Sequence, residues 1–137
     1  MTTTANENWS SWKYNVTDEY KSWNVEDIRQ DLRAKAHPFA VLMEHWKGDF
    51  NISTMIRNAN AFNASEVFYI GKKRFDRRGT VGSHHYVDLN HLNDFEELLK
   101  LKEKYVFVGL DNNVECCVPM ETFDWPKNAL MIFGEEG

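Results

Sequence analysis

Four apolar runs decide what this chain can fold into. Phe39-Ala40-Val41-Leu42-Met43, Val67-Phe68-Tyr69-Ile70, Tyr105-Val106-Phe107-Val108-Gly109-Leu110 and Ala129-Leu130-Met131-Ile132-Phe133 lack the polar alternation of a strand with one wet face. Strands of this kind are covered on both sides, as the central strands of parallel sheets are. Helical patterns separate them. Val25, Ile28 and Leu32 recur at helical spacing and predict a helix over 25–36, stopped by Pro38. Ile52, Met55, Ile56, Ala59 and Phe62 form one apolar stripe over 51–63. Asn51 suits the cap of that helix, and Ser53, Thr54, Arg57 and Asn60 share its polar side. Residues 95–104 form an amphipathic helix, and a short strand is expected near Tyr86-Val87. Strands alternating with helices imply an α/β domain, a mostly parallel sheet with helices on both faces. Ligands in such sheets bind outside the carboxyl ends of the strands. Three segments occupy such places: 46–51, 111–113 and 134–137.

At 137 residues the chain is one domain's worth. Residues 1–22 read as a polar tail carrying Trp9, Trp12 and Tyr14, with the domain over 23–137. No apolar run approaches the roughly 18 residues of a membrane helix, and the first residues lack the pattern of a secretory leader. Cys116 and Cys117 are adjacent, not spaced as CxxC, so they fit neither a zinc knuckle nor a thioredoxin-like pair. Free thiols without a leader point to the cytoplasm.

The formal net charge of −5 argues against a non-specific nucleic-acid binder. The distribution of charge argues otherwise. Lys72, Lys73, Arg74, Arg77 and Arg78 crowd into seven residues with only Asp76 against them. This segment is either a solvated loop or a grip on phosphates, with Phe75 either packing or stacking on a base. His84, His85 and His91 have no carboxylate or cysteine at ligand spacing, so no metal is expected. In the 51–63 helix an amide near the start and Arg57 two turns on can line a polar cleft, and arginine binds phosphate through two parallel hydrogen bonds. An ordinary helix cap and a solvated arginine would look the same.

The segment from Asp49 to Ala64 resembles motif 1 of the SpoU (TrmH-like) RNA 2′-O-ribose methyltransferases, of the SPOUT superfamily. That pattern has an asparagine, an arginine six residues on, an alanine and an apolar residue; here these are Asn51, Arg57, Ala59 or Ala61, and Phe62. Ser53 stands where the family often has glycine. The last residues resemble motif 2, an apolar strand running into G-x-E, with Gly134 and Glu136 matching about 80 residues after motif 1. Val16–Lys21 and Phe75–Gly79 extend the likeness. The resemblance implies an α/β-knot fold and methyl transfer from S-adenosyl-L-methionine to a ribose 2′-hydroxyl of tRNA or rRNA, without a metal. By the same resemblance Asn51, Arg57 and Glu136 are catalytic. Leu110, Asp111, Asn112, Phe133 and Gly134 contact the cofactor, and Lys72, Lys73, Arg74, Arg77 and Arg78 contact RNA. The family works as a homodimer. Its motif 3, which threads the knot and closes the cofactor pocket, does not occur in these 137 residues, so the chain reads as truncated after motif 2. The alternatives are a catalytically inactive RNA-binding module and a non-functional fragment.

Overall fold

The structure, a computed structural model, describes residues 16–48, 50–112 and 114–134. Five parallel strands make one sheet: β1 (His37–His45), β2 (Ala64–Gly71), β3 (Leu89–Leu92), β4 (Val106–Leu110) and β5 (Ala129–Phe133), in the order β3-β2-β1-β5-β4. The helices are α1 (Val25–Ala34), α2 (Phe50–Ala61) and α3 (Phe95–Lys100). β5 has the expected bounds, and β1 runs two residues further at each end than its apolar run.

The sheet has two apolar faces because each central strand alternates large residues to both sides. Val41, Met43, Val67 and Tyr69 pack against Ile52, Ile56 and Ala59 of α2. Ala40, Leu42, Phe68, Ile70 and Leu130 face the other way, against Leu98 of α3, Leu101 and Tyr105. A third cluster joins Tyr20 and Tyr86 to Ile28 of α1. Tyr20, on the tail side of residue 22, is buried there, and its hydroxyl donates to Asp31 (2.6 Å). Residues 1–15, including Trp9, Trp12 and Tyr14, lie outside the described residues.

Local chemistry sets the helix ends. The Asn24 side chain accepts from the Asp27 N–H at the start of α1 (2.8 Å). Asp94 does the same for Glu97 at α3 (2.9 Å), and the Glu97 carboxylate reaches back to the Asn93 N–H (2.8 Å), a reciprocal cap. Four expectations need correction. α1 stops at Ala34, because β1 already begins at His37. The 95–104 helix tightens into a 3₁₀ turn from Leu101 to Glu103, so α3 proper ends at Lys100. No strand forms at Tyr86-Val87: both side chains are spent on helix-facing clusters, and pairing with β2 starts only at Leu89, opposite Val67. α2 begins at Phe50, so Asn51 sits inside its first turn rather than capping it.

Candidate active site

Because all five strands are parallel, the segments after β1, β2, β4 and β5 emerge at one end of the sheet. Met43, Phe133 and Leu110 stand level on β1, β5 and β4. The chain leaves β2 through Gly71, at φ +119°, where an added Cβ would fall 2.1 Å from the His45 carbonyl oxygen. Only glycine fits that approach, and it lets the Lys72 N–H donate to the same carbonyl (2.7 Å).

The basic segment that follows is fastened by its backbone. The Tyr69 hydroxyl donates to the Lys73 carbonyl (2.6 Å), and buried His45 bonds through Nε2 to the Arg74 carbonyl (3.3 Å). Phe75 is half-buried, edge-on to Tyr69 (5.6 Å between centroids) and His45 (6.2 Å), with the Arg77 guanidinium 5.5 Å above its ring. This is packing, not a free platform for a base. The side chains of Lys72, Lys73, Arg74, Arg77 and Arg78 remain exposed. The segment is thus a held loop with exposed cations. Two of the cations are engaged: Arg77 over Phe75, and Arg78, whose guanidinium binds the Asp76 carboxylate (2.7 to 3.1 Å) and draws that carboxyl down to about 2.

α2 separates two hollows. On its loop side lies one of about 200 Å³, lined by Phe50, Ser53, Thr54 and Arg57 with Asp76 and Gly79 opposite. Arg57 is exposed and makes no hydrogen bond or ion pair with another described residue. Ser53 lies on the polar side with Thr54 and Arg57 as expected, yet it is buried, because Gly79 comes within contact of it. On the sheet side lies a groove of about 510 Å³, walled by Val41, Met43, Met131 and Phe133 and by Asn51, Thr54, Met55 and Asn58 of α2, with Gly134 at its end. Phe62, placed on the apolar stripe by spacing, is 68% exposed at the rim of this groove rather than in the core. Asn51 and Arg57 therefore do not line the same hollow; Thr54 lines both.

Leu110, Asp111 and Asn112 line a third hollow of about 680 Å³ on the β4 side, with exposed Cys116 and Cys117, Met120 and Trp125. Glu136 lies outside the described residues. Sequence reasoning missed Phe50, Asp76 and Gly79 as walls of the Arg57 hollow. It also missed Glu44, whose Oε2 is 3.9 Å from a Cβ built on Gly134. The helical spacing of Phe50, Ser53, Thr54 and Arg57 was a usable signal; the long-range approach of residues 76–79 left none.

His84 has a different duty. Its Nδ1 bonds to buried Thr80, whose hydroxyl donates to the Arg77 carbonyl (2.8 Å). Burial, helped by His85 and Arg77, lowers its pKa to about 4. His91 bonds to the Gly71 carbonyl (2.9 Å). Among the described residues no three His, Cys, Asp or Glu side chains converge as a metal site would need.

Residues 38–137 match the profile of the SpoU rRNA Methylase family, which takes in the whole sheet, α2, the basic loop and the end of β5. The chain belongs to the SpoU rRNA Methylase family. Its fold is similar to that of the TrmH/SpoU tRNA modifying enzyme of A. aeolicus (TM-score 0.65, 20% identity, 82% of this chain and 61% of that one). It is also similar to the SpoU methyltransferase AviRb of Streptomyces viridochromogenes (TM-score 0.61, 22% identity, 70% and 41%) and to the same protein in complex with AdoMet (TM-score 0.60, 23%, 73% and 42%). A segment of 87 residues is 34% identical to part of the transcription factor TAC1 of Candida albicans, covering 63% of this chain and 9% of that protein. The chain thus spans less than two thirds of the length of each of these proteins.

Proposed function

We propose that the protein transfers a methyl group from S-adenosyl-L-methionine to a ribose 2′-hydroxyl of tRNA or rRNA, in the cytoplasm and as a homodimer. The observation that carries this reading is the Arg57 hollow. An exposed guanidinium without a described partner, on a helix inside the family-matched region, faces Asp76 and Gly79 of a loop that is fixed by its backbone and carries exposed cations on either side of Asp76.

Arg57 is a poor literal base, since a guanidinium stays protonated in proteins. It acts instead by clamping the phosphate next to the target ribose and polarising the 2′-oxygen, which holds the nucleophile in line. Loss of the 2′-hydroxyl proton to water is assisted by that phosphate. Asp76 is not the acceptor, because Arg78 holds it near 2 and occupies both its oxygens. Lys72, Lys73, Arg74 and Arg77 supply affinity and salt dependence without choosing sequence.

The residues at the ends of β4 and β5 fit one side of the cofactor. Leu110 and Phe133 stand in register as an apolar shelf, polar Asp111 and Asn112 follow at once, and the backbone at exposed Gly134 is open to close approach. S-adenosyl-L-methionine, when bound, supplies a methyl group on a sulfonium, a leaving group that needs no metal. In this reading Asn51, facing the groove that ends at Gly134, orients the ribose from the sheet side, and Glu136 keeps the site-organising role that the motif 2 resemblance implies.

The test is transfer of labelled methyl to RNA by the wild-type protein and by Arg57→Ala. Loss of turnover by about a hundredfold or more is expected, with an unchanged circular-dichroism spectrum because the side chain is exposed and has no partner among the described residues. Undiminished turnover in Arg57→Ala refutes the assignment. Salt-dependent RNA binding without affinity for S-adenosyl-L-methionine would make the protein a binding module instead.

A further inference from the structure

Phe50 is 81% exposed, the most exposed large hydrophobic side chain among the described residues. It is not left out of the core by disorder of its backbone: its carbonyl accepts from the Thr54 hydroxyl (3.0 Å), and it forms the first turn of α2. Phe50, Ser53, Thr54 and Arg57 follow the i, i+3, i+4, i+7 pattern of one helix face, and all four line the same hollow. Seven residues of helix set Phe50 and Arg57 about 10 Å apart along the axis, a span that one nucleotide or two successive ones can bridge from phosphate to base. The remaining wall is Asp76 and Gly79 of the loop. The Asp76 carboxylate is already bound by Arg78, which leaves the Arg57 guanidinium as the unsatisfied charge of the hollow, with exposed Arg77 and Arg78 between the two wall residues in the chain, so the surroundings of the ring favour a polyanion over an apolar protein partner. The aromatic ring inside that loop, Phe75, is already engaged with Tyr69, His45 and Arg77.

We infer that Phe50 is the stacking platform for a base of single-stranded RNA, positioning the nucleotide whose backbone Arg57 holds. The inference rests on the reading that the Arg57 hollow takes RNA, and it adds how the base beside that backbone is held. A π-face accepts any base, so Phe50 confers affinity and orientation, and little choice among the four bases. Trp46, 51% exposed after β1, is a second aromatic at the same end of the sheet. It does not line the hollow, so the inference assigns the stack to Phe50 alone.

The experiment uses a short single-stranded RNA bearing one central 2-aminopurine, whose fluorescence falls when it stacks. Wild-type protein should quench the probe and bind it more weakly as salt rises. Phe50→Ala should restore the fluorescence of the bound probe and weaken binding at least about fivefold, the lower end of what one base–aromatic stack contributes. Phe50→Tyr should keep both signals. Phe95→Ala, an exposed ring on the opposite face of the sheet (58% exposed), and Trp46→Ala should match wild type. Unchanged quenching and affinity in Phe50→Ala, with Phe50→Tyr folded, overturns the role of Phe50 while leaving the RNA reading in place. No salt-dependent binding of the probe by wild type overturns the RNA reading, and this inference with it.

Discussion

Gly79→Ala tests how tightly the basic loop is seated on α2. The backbone at Gly79 does not need a glycine for its φ; the constraint is space. An added Cβ would lie 2.6 Å from Ser53 Oγ and 2.8 Å from Ser53 Cβ. Rotating the serine hydroxyl away removes the first contact and leaves the second, so either the loop or the helix must move. Forcing one methyl group into a closed contact costs about 1–3 kcal/mol. At roughly 4 °C per kcal/mol for a domain of this size, the melting temperature falls by about 4–12 °C. Ser53→Gly opens the same space and by itself loses about 0.5 kcal/mol of helix propensity, together with a weak 3.5 Å bond to the Asp76 carbonyl. The double variant should therefore be about as stable as Ser53→Gly alone. The measurement is urea unfolding of the four proteins as a double-mutant cycle. If the two single costs add to within about 0.5 kcal/mol, the contact is not the cause and the close seating of the loop is refuted.

Two further outcomes follow from the titrating groups of the same loop. Asp76 lies near 2 when folded and at 3.8 without its Arg78 partner. Its stabilisation is complete above pH 3.8 and is lost as the pH falls from there through about 2; Asp76→Asn should make the acid-unfolding curve shallower in this window, and an unchanged slope would refute the pairing. His84 goes the same way for a different reason: burial holds it near 4 against 6.5 in water. The folded state gains nothing further above pH 6.5 and weakens as the pH falls from 6.5 toward 4. An NMR titration of the His84 ring protons should find a midpoint near 4, and a midpoint near 6.5 would mean that the ring is not enclosed.

The sequence shows β1, β2 and β5 plainly, because a strand covered on both faces admits little but apolar residues; the fourth apolar run misleads about cover, since β4 lies at the sheet edge and none of its residues is buried. The sequence hides β3 because Leu89-Asn90-His91-Leu92 is an edge strand whose middle positions are polar: Asn90 donates to the neighbouring Asp88 carbonyl, and His91 bonds to the Gly71 carbonyl twenty residues back. Arg57 could be found from its spacing to Asn51, but what surrounds it could not. The approach of Gly79 to Ser53, and the choice of Phe75 for the core and Phe50 for the surface, depend on contacts between residues far apart in the chain. Both phenylalanines sit among polar neighbours, and only the folded positions of Tyr69 and His45 distinguish them.

The same helix geometry limits how the proposed reaction can be arranged. Asn51 and Arg57 are six residues apart, about 240° around α2, so one looks into the groove over the sheet and the other into the hollow under the basic loop. A methyl donor held at the ends of β4 and β5 and a phosphate held by Arg57 are thus on different sides of α2. They can meet only where the partition ends, over its first turn at the carboxyl edge of the sheet. Thr54 is the residue common to both hollows, and Phe50 and Asn51 stand at the open end of each. With Phe50 holding a base and Asn51 reaching the ribose, the first turn of α2 becomes the place where the nucleotide crosses from the cationic side to the sheet side. Arg57, further along the helix, then holds the phosphate next to that ribose from the cationic side, with its guanidinium reaching back toward the 2′-oxygen.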